Sequence, residues 1–283
     1  MTYRFQRVER KYVQITDRDL AIVEAVFRAR YLTNRQIARL FFSEGAFSSC
    51  KKRIRYLFDK GYLKKRPAFP NEPDIYYLGL KGKRYIASLG EYTKEAIDRI
   101  AGVSGGEAEE PFLMMRHELS LSQLYVNATL ECRRHGWQLY WENSRMLELR
   151  RLGVQPDAFL RVGERAAFLE FTAALPTREE MARKMAGYER LLEEVEGRAV
   201  VLWLTTSGAK MGQLWQGISK SLYPDYFLLG LIEEAGEFLT RPIWRWCRAE
   251  GKVAFLTPQP EDLLGAGGWV SANAPSLPSK ERG

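Results

Sequence analysis

The chain of 283 residues is 46% hydrophobic and 12% aromatic, enough for a buried core, which excludes global disorder. Its longest apolar run, residues 226–232, covers about a third of a membrane span, and the charged opening MTYRFQRVERKY has no apolar leader core, so a cytoplasmic protein is expected. Residues 1–90 carry 20 Lys and Arg against 8 Asp and Glu, a balance of +12, whereas the remainder carries 23 against 27, or −4, which predicts two domains with the basic one facing a polyanion.

In chain order, Thr16 to Asp19 reads as a capping box with Asp at the fourth place. It opens a helix through LAIVEAVFRAR, with Leu20, Val23, Val26 and Phe27 on one face. Thr33 caps a short second helix that turns Ile37, Leu40 and Phe41 inward. After Gly45, a third helix gathers Ile54, Leu57 and Phe58 into an apolar stripe and stops at Gly61. Its other faces are predicted to present Ser48, Ser49, Lys51, Lys52, Arg55 and Tyr56, with Lys60 at its end. Two strands, residues 63–69 and 74–78, flank a turn at Pro70 to Pro73, and a helix over residues 81–89 follows.

Helix, helix, basic helix and two-stranded wing is the order of a winged helix-turn-helix. The phrases LTNRQIARLFF and LFDKGYLKK resemble those of many winged-helix DNA-binding proteins, over residues 12–90. The resemblance implies that the third helix enters the major groove of double-stranded DNA, where the short Ser48 and Ser49 allow close approach. Lys64, Lys65 and Arg66 of the wing would then reach flanking phosphates and release counterions. A winged helix that binds protein is the alternative.

Residues 91–110, Gly-rich and acidic, read as a linker. A long amphipathic helix follows over residues 111–132, then strands at 137–141, 158–162 and 166–171, the last two joined by a turn at Gly163 and Glu164. A helix over 176–195, a buried strand at 199–204 and a helix over 210–221 complete the pattern. The predicted organisation is a basic domain at 1–90, a linker at 91–110, a second domain at 111–256 and a flexible tail at 257–283, rich in Pro and Gly.

The chemistry concentrates in VQPDAFLRVGERAAFLEFT, residues 154–172. Helix, strands, helix, strand is the core order of the restriction-endonuclease-like, or PD-(D/E)xK, α/β fold. That resemblance implies that Asp157 and Glu170 occupy the two acidic places that hold Mg²⁺, while Thr172 stands where the catalytic lysine belongs. The wider phrase PDAFLRV…AFLEFT…TREEMARKMAGYERLL, behind a winged helix, resembles the replication-relaxation family of plasmids and other mobile elements, across most of residues 12–205. In that family a hydrophobic strand ends in a glutamate and the next helix carries Lys-x-x-x-Tyr, matched here by Lys184 and Tyr188. Thr172 also replaces the second acid that the family commonly shows two places after the glutamate. Lys184 either reaches back as a migrated catalytic lysine or pairs with Glu170 or Glu180. Glu118, on the preceding helix, is a candidate third acid.

What is missing narrows the choice. His117 and His135 form no His-x-His pair of the kind an HUH relaxase needs, and no GxxxxGK[ST] loop occurs. Cys50, Cys132 and Cys247 are too far apart for zinc-ligand spacing and fit a reducing compartment. Trp244 and Trp246 either stack on bases or pack a strand face. The expected function is that of a sequence-specific DNA-binding accessory protein of plasmid or mobile-element replication or relaxation, with a nuclease-like domain that does not cleave. The alternatives are a Mg²⁺-dependent endonuclease using Asp157, Glu170 and Lys184, and a winged-helix transcription regulator. No cofactor is expected beyond the Mg²⁺ that an active site would require. Double-stranded DNA is the expected partner; a second copy of the chain and replication or relaxation proteins are further candidates, and no membrane is involved.

Overall fold

Threonines that cap helices set the frame of the N-terminal part, in a computed structural model that describes residues 14–67, 74–101, 112–246 and 251–256. The expected turn at Pro70 to Pro73, half of the expected linker and the tail from Thr257 lie outside the described residues. Thr16 and Asp19 form the predicted capping box of α1 (Asp17–Ala29), and Thr33 and Gln36 form another for α2 (Asn34–Phe41). Helix α3 (Phe47–Asp59) ends at Gly61, whose φ of 81° supplies the left-handed turn that a side chain would resist. Strands β1 (Leu32–Thr33), β2 (Leu63–Pro67) and β3 (Asp74–Leu78) make an antiparallel sheet in the order β1-β3-β2, followed by α4 (Leu80–Ser88). Ile22, Val26, Leu32, Ile37, Ile54, Leu57 and Leu63 are wholly or almost wholly buried and form the centre of this part.

Residues 94–100, expected as linker, instead form helix α5 (Lys94–Ile100). Thr93 caps it, Ile97 and Ile100 bury themselves one turn apart, and Asp98 pairs with Lys83 at 2.7 Å. Helix α6 (Phe112–His135) follows. The chain divides into two compact units, residues 1–126 and 127–283, and the division falls within α6. The first half of that helix is bonded into the first unit: Arg30 donates to Glu118 at 2.6 Å, Gln36 to Gln123 at 3.1 Å, and Ser122 to the Ala29 carbonyl at 3.2 Å.

The second unit is built on a seven-stranded sheet. Strands β4 (Leu139–Asn143), β5 (Ala158–Val162) and β6 (Arg165–Thr172) form an antiparallel meander. Helix α7 (Arg178–Glu194) crosses to β7 (Ala199–Thr205), and α8 (Gly208–Ile218) crosses to β8 (Phe227–Leu231), so that β6, β7 and β8 run parallel. Short strands β9 (Trp244–Arg245) and β10 (Lys252–Val253) complete the order β10-β9-β8-β7-β6-β5-β4. This is a mixed α/β architecture. Strand β7, AVVLWLT, is buried at every position, as a central parallel strand covered on both faces should be. Helices α7 and α8 both pack on Phe168, Trp203 and Phe227, placing Met185, Tyr188, Leu191 and Leu214 against them. Gly187 makes the approach of α7 possible, because a Cβ there would lie 2.7 Å from that of Val154. Gly163, with φ of 59°, opens the two-residue hairpin loop between β5 and β6. Among the described residues no helix is long and apolar enough to cross a membrane; the apolar run at 226–232 supplies β8 instead.

Candidate functional site

The exposed side of α3 begins with Ser48, Ser49, Lys51 and Lys52, all open to solvent. The Lys51 ammonium lies 4.7 Å over the Phe47 ring. Arg55, one turn further, pairs with Asp59 at 2.9 Å and keeps 39% of its side chain exposed. Tyr56 corrects the sequence expectation: only 4% of it is exposed. Helix α3 packs against both α2 and β2, so its buried stripe is wide enough to take Cys50 and Tyr56 as well as Ile54, Leu57 and Phe58. Arg53 and Lys60 cover the Tyr56 ring at 4.9 and 6.0 Å. In the wing, Lys64 is half-buried, Lys65 pairs with Asp74 at 2.7 Å, and Arg66 lies 5.4 Å over the Tyr31 ring. Two of the three cations expected to reach DNA are therefore engaged within the unit.

Sequence reasoning passed over Arg53, which anchors α3 to α1. Its Nε donates to Asp19 Oδ1 at 2.5 Å and its Nη2 to the Gln14 carbonyl at 2.6 Å. Burial works against the Asp19 charge, but bonds from Arg53 and Thr16 outweigh it and hold the carboxyl below its usual range. The apolar surroundings of these groups could not be read from spacing alone.

In the second unit, Glu170 lies near the end of β6 with 1% of its side chain exposed. Lys184 Nζ donates to its Oε2 at 2.6 Å and the Tyr188 hydroxyl donates to its Oε1. One helical turn separates the two donors on α7, so both reach the same carboxylate. The capping box of Thr177 and Glu180 fixes where that helix begins, and Glu180 is used there rather than on Lys184. The Lys184 ammonium also sits 5.0 Å over the Trp203 ring, whose Nε1 donates to Thr172 Oγ1 at 2.9 Å. Thr172 is thus a buried acceptor in the wall of the site, and its carbonyl receives the Thr205 hydroxyl at 3.0 Å. Asp157 comes to the same end of β6. Its N–H donates to the Leu169 carbonyl at 3.0 Å and its Oδ2 accepts the Phe171 N–H at 2.8 Å.

Burial pushes the Glu170 carboxyl from its ordinary 4.5 up to about 7; Lys184 pulls the other way and Asp157 adds to the rise. Burial also opposes the charge on Lys184, but Glu170 and Asp157 outweigh it and keep the ammonium protonated. Burial, followed by the Glu170 charge, drives the Tyr188 hydroxyl well up, so it remains a donor.

A model of the replication-relaxation family matches residues 24–200, a span that takes in α3, both acids and the Lys184–Tyr188 pair. The chain belongs to the replication-relaxation family. No curated protein and no solved structure matches it. In this replication-relaxation protein the glutamate, lysine and tyrosine that carried the resemblance close on one another as a single network. Thr172, the departure from the pattern, is held by Trp203, a partner that only the parallel pairing of β6 with β7 reveals.

A divalent metal ion at this site would find Asp157 and Glu170 already engaged in hydrogen bonds. Both Glu170 oxygens already accept hydrogen bonds, one Asp157 oxygen is taken by backbone, and Glu118 is paired with Arg30 in the first unit. Among the described residues, no three His, Cys, Asp or Glu side chains converge to hold a metal ion, whereas a hard divalent cation draws its affinity from several oxygen ligands. Trp244, considered for base stacking, is fully buried and donates to the Phe238 carbonyl at 2.8 Å; Trp246 donates to the Asp225 carbonyl at 2.8 Å.

Proposed function

We propose that this replication-relaxation protein is a sequence-specific, non-cleaving DNA-binding factor that serves the replication or relaxation of a plasmid or other mobile element, in the cytoplasm. The first unit acts as a winged helix-turn-helix. The observation that carries this reading is the row Ser48, Ser49, Lys51 and Lys52, exposed on a helix anchored by α2, by β2 and, through Arg53, by α1, in the part of the chain that holds the whole basic excess. Short polar side chains and exposed ammonium groups on one helical face suit base edges and phosphates in a major groove. The second unit keeps a restriction-endonuclease-like framework in which the glutamate fastens α7 to the sheet. It serves assembly or a second DNA contact.

Selection of bound duplexes from a random pool by the full chain, with and without Mg²⁺, tests the proposal. Enrichment of one sequence, recovered intact in both conditions, is the expected outcome; a pool that stays random would refute it. A second reading, an endonuclease with a migrated lysine, is favoured by the 2.6 Å approach of Lys184 to Glu170. Incubation of supercoiled plasmid with Mg²⁺ or Mn²⁺ decides between them. Nicking that disappears in both Glu170→Ala and Lys184→Ala would establish the enzyme.

A further inference from the structure

Among the described residues, most arginines of the first unit are already engaged. Arg28 pairs with Glu91 at 3.8 Å, Arg30 with Glu118 at 2.6 Å, Arg53 with Asp19, and Arg55 with Asp59 at 2.9 Å. Helix α2, NRQIARLF, differs: it contains no acid, and its Arg35 and Arg39 are exposed without a hydrogen bond, ion pair or ring partner among the described residues. Their direction is fixed from behind, because Gln36, Ile37 and Leu40 are buried on the opposite side of the helix. One turn separates the two arginines, which puts their Cβ atoms roughly 5–6 Å apart. Helix α2 also stands beside the row proposed to enter the groove. The Cys50 thiol of α3 donates to the Asn34 carbonyl at 3.7 Å, bringing the first turn of α3 against the first turn of α2.

We infer that Arg35 and Arg39 form a phosphate clamp, gripping neighbouring phosphates of one DNA strand beside the groove occupied by α3. The inference rests on the DNA-binding reading of the first unit and adds to it the element that fixes docking register. Each strand of B-DNA carries a charge about every 3.4 Å of axis, so two guanidinium groups a few ångströms apart meet successive phosphates. A guanidinium grips phosphate with two parallel N–H donors, and these two groups give up no internal ion pair to do so. Contacts of this kind position the protein and carry no sequence information.

The test uses the full chain, a short duplex of arbitrary sequence and a duplex recovered by the selection above, with affinity measured from low to physiological salt. For Arg35→Gln with Arg39→Gln, the slope of log affinity against log salt should fall by about 1.8, that is about 0.9 for each phosphate no longer neutralised. Both duplexes should lose affinity alike, the melting temperature should stay unchanged, and Arg35→Lys with Arg39→Lys should restore the slope. A wild-type chain that binds while the glutamine variant keeps its full slope would overturn the clamp and leave the α3 reading intact. A slope lost together with the melting temperature, and not restored by the lysines, would also overturn it, in favour of a structural role. Failure of the wild-type chain to bind either duplex would remove the DNA reading and the clamp together.

Discussion

Replacing Lys184 with Met strands a buried carboxylate, and the loss should depend on pH in a direction set by Glu170. In the wild type, Glu170 binds its proton more tightly in the folded chain than in the unfolded one, about 7 against 4.5. The associated stability is complete below about pH 4.5 and drains away as pH rises towards 7, amounting to about 3 kcal/mol at roughly 1.36 kcal/mol per pH step. Above that range the ionised carboxylate depends on Lys184, whose Nζ lies 2.6 Å away. Breaking a buried ion pair by removing one partner costs about 3–5 kcal/mol. Lys184→Met should therefore lose about that much at pH 8.5 and about 1 kcal/mol at pH 5.5, where Glu170 is already neutral and only a hydrogen bond is lost. Adding Glu170→Gln should recover most of the loss at pH 8.5, since no charge remains to strand. Urea unfolding followed by tryptophan fluorescence reads the second unit selectively, because all seven Trp lie beyond residue 136. Equal losses at both pH values, or no recovery in the double variant, would refute the assignment of Glu170 as a buried, charge-dependent fastener of α7.

Two substitutions separate the remaining roles. Thr172→Lys restores the motif lysine, yet it should yield no Mg²⁺-dependent plasmid nicking; it should destabilise the chain by about 1–3 kcal/mol or more, because Trp203 Nε1 loses its buried acceptor. Nicking by that variant would contradict the reading of the site. Tyr56→Ala should cost about 3–5 kcal/mol as a core truncation, and its folded fraction should keep the wild-type DNA preference in a binding selection. A changed preference at unchanged stability would return Tyr56 to the DNA-facing surface.

The site was legible in the sequence wherever local geometry decides which groups meet. The two-residue loop at Gly163 and Glu164 sets Ala158 opposite Leu169, and so brings Asp157 and Glu170 to one end of a hairpin. The spacing of Lys184 and Tyr188 follows from helical pitch, and the capping box at Thr16 and the cap at Thr33 follow from local reach. Meetings between distant segments were not legible. Tyr56 is buried because β2 returns beside α3, and Thr172 meets Trp203 because β7 pairs parallel to β6 after a crossover helix. Periodicity does not distinguish a surface arginine from one engaged at long range, so the partners of Arg30 and Arg53 and the exposure of Arg35 and Arg39 emerged only with the fold. Residues 226–232 were legible only as an apolar run too short for a membrane span, and not as strand β8, since a short buried segment shows no alternation.

The central claim, that α3 reads duplex DNA, is tested most directly by comparing the full-length wild type with Lys51→Ala, Lys52→Ala on the selected duplex and on a scrambled one. The account predicts that the double variant stays folded, binds the selected duplex more weakly by roughly 1–3 kcal/mol for each base edge no longer hydrogen-bonded, and discriminates less between the two. Unchanged affinity and unchanged discrimination in a folded double variant would contradict it.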